Sequence, residues 1–280
     1  MKCIRIRGLT FKYSGCEWYA LKNVSLDVEE GEFILVSGPS GGGKTTLART
    51  IVGLIPHFYH GVYNGEVYVY DMLVSKTPIF EISRYVGYLF QNPENQIFMT
   101  TVERDIAFGL EFRGFNRDEM RERVRRVLKI LNIEHLAGRR IDELSGGEKQ
   151  KVALAGVLAL NPKIIILDEP TAYLAPKSAL ELMRFLKKLN EEYNTTIILI
   201  DHRLDLASQV ASRLIIVSEG EIVLDKPIRE GFSEIVYKRY GVNVPTLVRI
   251  YERVRRYGVF KHPPLSVDEF TSILKMYLKR

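Results

Sequence analysis

Cysteine is nearly absent from this 280-residue chain: Cys3 and Cys16 are the only two, too few for a disulfide framework or a cysteine-based metal cluster. Such sparse usage fits a reducing compartment. No apolar run approaches the roughly 20 residues needed to cross a bilayer, so any membrane role is expected to come through a partner. The opening Met1-Lys2-Cys3-Ile4-Arg5-Ile6-Arg7 alternates as a strand does, not as a signal peptide. Glutamine is scarce (Gln91, Gln96, Gln150 and Gln209) beside plentiful Lys, Arg and Glu, a composition that leans towards heat adaptation. Neither charge sign dominates, since 40 basic residues face 34 acidic ones for a net +6. That balance names neither nucleic acid nor an anionic membrane as a partner. Internal repeats and low-complexity stretches are lacking too. What is abundant is apolar content, 46% of residues, enough for a sizeable core in one or two domains.

The first 36 residues read as short strands: Ile4, Ile6 and Leu9, then Val24, Leu26 and Val28, with turn signals at Ser14-Gly15 and Glu30-Gly31. Phe33-Ile34-Leu35-Val36 is a buried-strand run ending at a glycine-rich loop, with a helix from about Lys44. More β pattern follows over 65–90, and 92 to about 160 is expected to be mainly helical. There Asn116 and Glu119 can cap a helix whose apolar stripe is Met120, Val124, Val127, Leu128 and Leu131. Residues 164–167 and 195–200 are further buried strands around a helix over 179–189, and Glu219-Gly220 between two apolar runs marks a hairpin. Alternating strands and helices imply an α/β fold with a largely parallel sheet covered on both faces. The tail after about residue 228 reads as a separate helical appendage, with a capping box at Ser266-Val267-Asp268-Glu269 and Leu265 and Phe270 as its staple.

Gly38, Pro39, Ser40, Gly41, Gly42, Gly43, Lys44 and Thr45 match G-x-x-x-x-G-K-[ST], the phosphate-binding loop of a P-loop NTPase, and Thr46 follows it. Glycines let backbone N–H groups turn towards phosphate oxygens, and a helix N-terminus adds its positive end. Lys44 can neutralise β/γ-phosphate charge, and the Thr45 hydroxyl can reach Mg²⁺. Asp168 ends the strand Ile164-Ile165-Ile166-Leu167, where a carboxylate can hold Mg²⁺ through water. Glu169 beside it can polarise an attacking water.

These motifs, with Leu144-Ser145-Gly146-Gly147-Glu148 between them, resemble the nucleotide-binding subunit of an ATP-binding cassette (ABC) transporter over residues 1–228. The resemblance implies an ABC ATPase fold with an N-terminal antiparallel β subdomain, a helical subdomain at about 92–160, and a C-terminal helical tail at 229–280 with a dimerisation or regulatory role. It implies ATP and Mg²⁺ as ligands, with Thr45, Gln91 and Asp168 at the metal. Glu169, Gln91 and His202 are the catalytic set it implies, and Tyr13 the adenine-stacking aromatic. Ser145, Gly146 and Gly147 would contact ATP held by a second subunit. Two positions depart from the family's pattern. Leu174-Ala175-Pro176 lacks the usual D-loop aspartate, which puts symmetry between the two sites in doubt, and Asp201-His202-Arg203 stands where Thr-His-Asp is commoner.

The stretch Gln91-Asn92-Pro93-Glu94-Asn95-Gln96, the stretch 101–109 and the tail are similar to the ATPases of energy-coupling factor importers of the cobalt and vitamin types. That similarity implies a place at the cytoplasmic face of the membrane and a groove for a transmembrane coupling subunit, which in turn carries a substrate-binding membrane subunit. Glu94, Glu103 and Asp105 are candidates for the acidic residue that meets its coupling helix. Two other readings stay open: a soluble ABC ATPase acting on nucleic acid or ribosomes, and an ATP-binding regulatory subunit that leaves hydrolysis to a paralogous partner. The single cassette weighs against the first, so no nucleic acid is expected as partner. The intact Lys44, Asp168, Glu169, Gln91 and His202 weigh against the second.

Overall fold

Two β-sheets share one chain in the computed structural model, which describes every residue except 234, 235, 237, 238, 279 and 280. The first sheet is antiparallel, in the order β2-β1-β4-β5, from β1 (Lys2–Tyr13), β2 (Leu21–Glu29), β4 (Gly61–Val69) and β5 (Met72–Leu73). The second has six strands in the order β10-β9-β3-β8-β7-β6. They are β3 (Phe33–Ser37), β6 (Val86–Leu89), β7 (Ile164–Asp168), β8 (Thr196–Ile200), β9 (Arg213–Ser218) and β10 (Glu221–Pro227). All its neighbours run parallel except β9 and β10, which form a hairpin. Glu219 (φ 52°) and Gly220 (φ 84°) both take the left-handed conformation at its turn, as a tight hairpin with right-twisted strands needs.

The parallel strands are apolar on every residue because both faces are covered, and the two-residue period sorts their side chains between two cores. Phe33, Leu35, Ile165, Leu167, Ile197, Leu199, Leu214 and Ile216 face the helical side. Ile34, Val36, Ile164, Ile166, Ile198, Ile200, Ile215 and Val217 face the side of α1 (Lys44–Ile51) and the antiparallel sheet. Short helices α2 (Leu54–His57) and α3 (Ile79–Ile82) join the latter side.

The segment expected to be helical holds α4 (Val102–Phe112), α5 (Arg117–Ile130) and α6 (Gly146–Ala159). Asn116 and Glu119 cap α5 reciprocally, and Val124, Val127 and Leu128 form its buried stripe. Helix α7 (Pro176–Tyr193) is longer at both ends than its apolar pattern suggests, and α8 (Leu204–Ala207) follows β8.

The tail differs from the separate appendage expected of it. After α9 (Ile228–Gly231), the buried Phe232, Val236, Val242, Val244 and Val248 join the same apolar cluster as Leu214 and Ile216 of β9. Arg229 also pairs with Glu269 at 2.8 Å, tying α9 to the final described helix (Val267–Leu278). The apolar residues of the tail are too dispersed to form a core alone, so they complete the one already present. In the expected capping box Ser266 Oγ accepts the Glu269 N–H, but the Glu269 carboxylate takes the N–H of Leu265 in place of Ser266. Phe270 stacks on Phe260, with ring centroids 5.1 Å apart.

Candidate functional site

Four neighbouring parallel strands, in the order β3-β8-β7-β6, end on one edge of the sheet. Past those ends lie the glycine-rich loop, Asp201-His202, Asp168-Glu169 and Gln91 respectively. Segments far apart in sequence, from Gly38 to His202, thus meet at the carboxyl edge of an open α/β sheet, where such folds place ligands.

The loop wraps tightly onto β9. Gly38 has φ 145°, and a Cβ there would lie 2.0 Å from the Val217 carbonyl oxygen. Gly43, at φ 110°, starts α1, and a Cβ there would meet the Ala20 carbonyl at 2.6 Å. Only glycine satisfies both constraints. Lys44 Nζ donates to the Gly38 and Pro39 carbonyls at 2.9 and 2.8 Å, so the ammonium is held across the concave side of its own loop. Burial lowers its pKa, against the opposing pull of Glu169 and Asp168.

Asp168 is 1% exposed. Its Oδ2 accepts the Tyr88 hydroxyl at 3.1 Å, while the buried Oδ1 has no hydrogen-bond partner. Burial raises its pKa, offset in part by the nearby Thr45 hydroxyl and Tyr88. An unpaired buried carboxylate oxygen beside a threonine hydroxyl fits a hard cation. Among the described residues no group of three or more His, Cys, Asp or Glu is placed to hold a metal ion by itself. A cation here would therefore take most of its ligands from phosphate and water, as Mg²⁺ does.

Glu169 adopts the left-handed conformation (φ 51°) and donates its N–H to the Ile200 carbonyl at 2.8 Å. A non-glycine residue kept there is a strain that functional sites often retain. Its carboxylate is held from two sides: Gln91 Nε2 donates to Oε2 at 2.9 Å, and His202 Nε2 lies 3.2 Å from Oε1. The loop carrying His202 is itself anchored. Thr171 Oγ1 donates to Asp201 Oδ2 at 2.7 Å and the Arg203 N–H donates to Asp201 Oδ1 at 2.7 Å. The unusual aspartate before the histidine thus ties it to the turn after Asp168-Glu169.

Ser145 caps α6. Its Oγ accepts the Glu148 N–H and donates to the Glu148 carboxylate, which also takes the Ser145 N–H at 2.8 Å. The Gly146 and Gly147 N–H groups have no acceptor among the described residues, and nothing there bonds them to Lys44, Asp168 or Glu169. Tyr13 lies at the end of β1, edge-on to Phe11 and Tyr59, with its hydroxyl 3.3 Å from Thr46 Oγ1 and accepting from Arg49 at 3.3 Å.

Sequence reasoning missed four partners. Ser145-x-x-Glu148 spells a capping box and was available as a signal. Tyr88 at Asp168, Thr171 at Asp201, and the Lys149–Glu94 pair at 2.6 Å had none, because strand and helix neighbours are not written in the chain.

The ABC transporter family model matches residues 21–172. An ABC transporter ATP-binding protein of Pyrococcus abyssi is 36% identical over 280 residues, 100% of both chains. Another of Methanosarcina acetivorans is 38% identical over 97% of this chain, which spans 42% of that protein. The ATP-binding cassette MJ0796, solved as a dimer in a post-hydrolysis state with ADP and Pi, superposes with TM-score 0.73 at 33% identity, over 82% of this chain and all of that one. The structure of cbiO1 from Clostridium perfringens, part of the ABC transporter complex cbiONQ, does so with TM-score 0.73 at 30% identity, over 92% of this chain and 97% of that one. With a P-loop, two carboxylates, a glutamine and a histidine on one sheet edge and a relative matched from end to end, the chain belongs to the ABC transporter family, as an ATPase subunit.

Proposed function

We propose that this ATPase powers a membrane importer of the energy-coupling factor type, with a metal ion such as cobalt or nickel, or a vitamin, as cargo. The observation that carries the reading is an apolar groove of about 260 Å³ beside the ATP site. Leu54, Phe90, Phe98, Phe108 and Val157 line it, and Asp105 stands in its wall. Phe98 is 71% exposed and Phe112 79%, and both rings pack on Phe108, a concentration of uncovered aromatic surface that marks a docking site. Among the acidic candidates, Asp105 lines the groove and also fixes it, accepting the N–H groups of Phe98 and Met99 at 2.9 and 3.0 Å. Glu94 is engaged by Lys149, and Glu103 is exposed. The groove suits an amphipathic coupling helix with a basic residue. No described helix is long and apolar enough to cross a membrane. An importer ATPase of this type sits at the cytoplasmic face, held by that transmembrane subunit and, through it, linked to a substrate-binding one.

In this reading the backbone of residues 38–45, Lys44 and Thr46 hold the phosphates of ATP, and Tyr13 stacks on its adenine. Thr45, Gln91 and Asp168 hold Mg²⁺, which supplies charge neutralisation at the phosphates. Glu169, aimed by Gln91 and His202, takes the proton of the attacking water. A second subunit closes the site with its own Ser145, Gly146 and Gly147, where the free N–H groups of the two glycines form an anion-facing helix start. That partner is a copy or a paralogue. Ala175 leaves the D-loop without its aspartate, and the Methanosarcina relative is long enough for a second unit of this size. The tail after residue 228 helps hold the two together.

Glu169→Gln should keep ATP binding, lose most turnover and accumulate a dimer, read by phosphate release and light scattering; surviving turnover removes Glu169 as the base. Lys44→Ala should weaken binding itself. Phe98→Glu should release the chain from membranes carrying its partner. Equal sedimentation of wild type and variant would place docking elsewhere.

A further inference from the structure

A second cavity, about 410 Å³, opens between the loop carrying His202 and the tail helix Thr246–Val254. His202 and Arg203 form one wall, and Arg249 and Arg253, one helical turn apart, form the other. Two carboxylates also line it, but both are engaged. Asp205 Oδ1 accepts the Thr246 N–H at 2.7 Å, and Glu252 pairs with Arg255 at 3.1 Å. Among the described residues none of the three arginines has a carboxylate at ion-pair distance. Arg249 and Arg253 are exposed and Arg203 is half-buried, and like charges gathered on one concavity raise its potential and favour an anion. Among the described residues no Phe, Tyr or Trp lines the cavity, so none of them would stack on a nucleobase. Guanidinium forks instead match phosphate and carboxylate oxygens.

We propose that this cavity binds a small polyanion carrying two or more phosphate or carboxylate groups, and that its occupant touches the His202 side of the ATP site. Its volume lies within the range of small-molecule sites. The binding claim stands apart from the importer reading; its bearing on turnover rests on the role given to His202 above.

The test uses tripolyphosphate and the full chain carrying Lys44→Ala, which disables the phosphate-binding loop as a competing site. Titration calorimetry should show saturable binding that weakens with salt. Adding Arg249→Ala and Arg253→Ala should weaken it at least tenfold, and Arg203→Ala alone should weaken it as well. The His202 imidazole resonance, assigned by its loss in His202→Gln, should move as the site fills. Melting curves establish that each variant is folded. Absence of saturable binding to the Lys44→Ala chain, equal affinity after the arginines are removed, or an unmoved His202 resonance would each overturn the proposal. So would arginine variants that change only self-association, which would assign the basic wall to a subunit contact.

Discussion

The link between Asp201 and Thr171 makes a quantitative claim about how His202 is held. Asp201 is 3% exposed and Thr171 1%, and the carboxylate receives the Thr171 hydroxyl and the Arg203 N–H, each at 2.7 Å. Asp201→Ala removes the acceptor from both donors. A buried donor left unmade costs about 1–3 kcal/mol. The threonine cannot reach water, while the partly exposed Arg203 recovers some hydration, so the expected loss is about 2–4 kcal/mol. Asp201→Asn keeps the shape: its amide oxygen accepts the Arg203 N–H, and its NH₂ donates to a Thr171 hydroxyl that turns round to accept. Burial raises the pKa of Asp201, so the weaker neutral acceptor is offset by relief of a buried charge, and that variant should stay within about 1 kcal/mol of wild type. Urea unfolding followed by circular dichroism measures these changes, and phosphate release at saturating ATP measures turnover. Because Asp201 acts through His202, kcat should fall at least tenfold in Asp201→Ala with KM for ATP little changed, and Asp201→Asn should recover most of it. The reasoning fails if Asp201→Ala unfolds at the wild-type urea midpoint with unchanged kcat. It fails also if the asparagine is as damaging as the alanine, since charge and not tethering would then be what counts.

Burial raises the pKa of Asp168, so its contribution to folding is fully present below the unfolded carboxylate pKa and is lost as pH rises through the folded one. Asp168→Asn should accordingly raise the melting temperature of the nucleotide-free chain at neutral pH while abolishing ATP turnover, and a lowered melting temperature would contradict this account. Ser145→Ala should destabilise α6 by about 1 kcal/mol through loss of its cap. Glu148, whose pKa is lowered first by the Ser145 hydroxyl and then by its N–H, should titrate closer to an ordinary glutamate in that variant. Stability held by a lowered carboxylate is lost as pH falls through its folded pKa, so the variant should show the shallower loss in acid. Ala175 has the extended N-cap conformation of α7 (φ −60°, ψ 153°) with no side-chain cap. Ala175→Asp should therefore stabilise the chain by about 1 kcal/mol, seen as a rise of roughly 2–4 °C in Tm. An unchanged Tm would mean that the helix start is satisfied otherwise.

Local chemistry is what the chain spells out. Gly38, Lys44 and Thr45 sit in one eight-residue loop, and Asp168-Glu169 ends one apolar strand, so spacing alone displays a phosphate cradle and a pair of carboxylates. The buried strands could be read for the same reason, because a run apolar at every position has only one comfortable place, between two covered faces. Gln91 and His202 carry no such signature and became legible only through resemblance to a family. What no local pattern could reveal is which strand lies beside which. The order β3-β8-β7-β6 alone brings Gln91 and His202 to the Glu169 carboxylate, sets Tyr88 on Asp168, and joins Thr171 to Asp201. The same holds for the tail, whose scattered apolar residues look independent in sequence yet complete the core beside β9. Periodicity and turn chemistry act over a few residues, and so are written in sequence. Strand adjacency is settled by how whole elements bury their faces against one another, and that exists only once the chain has folded.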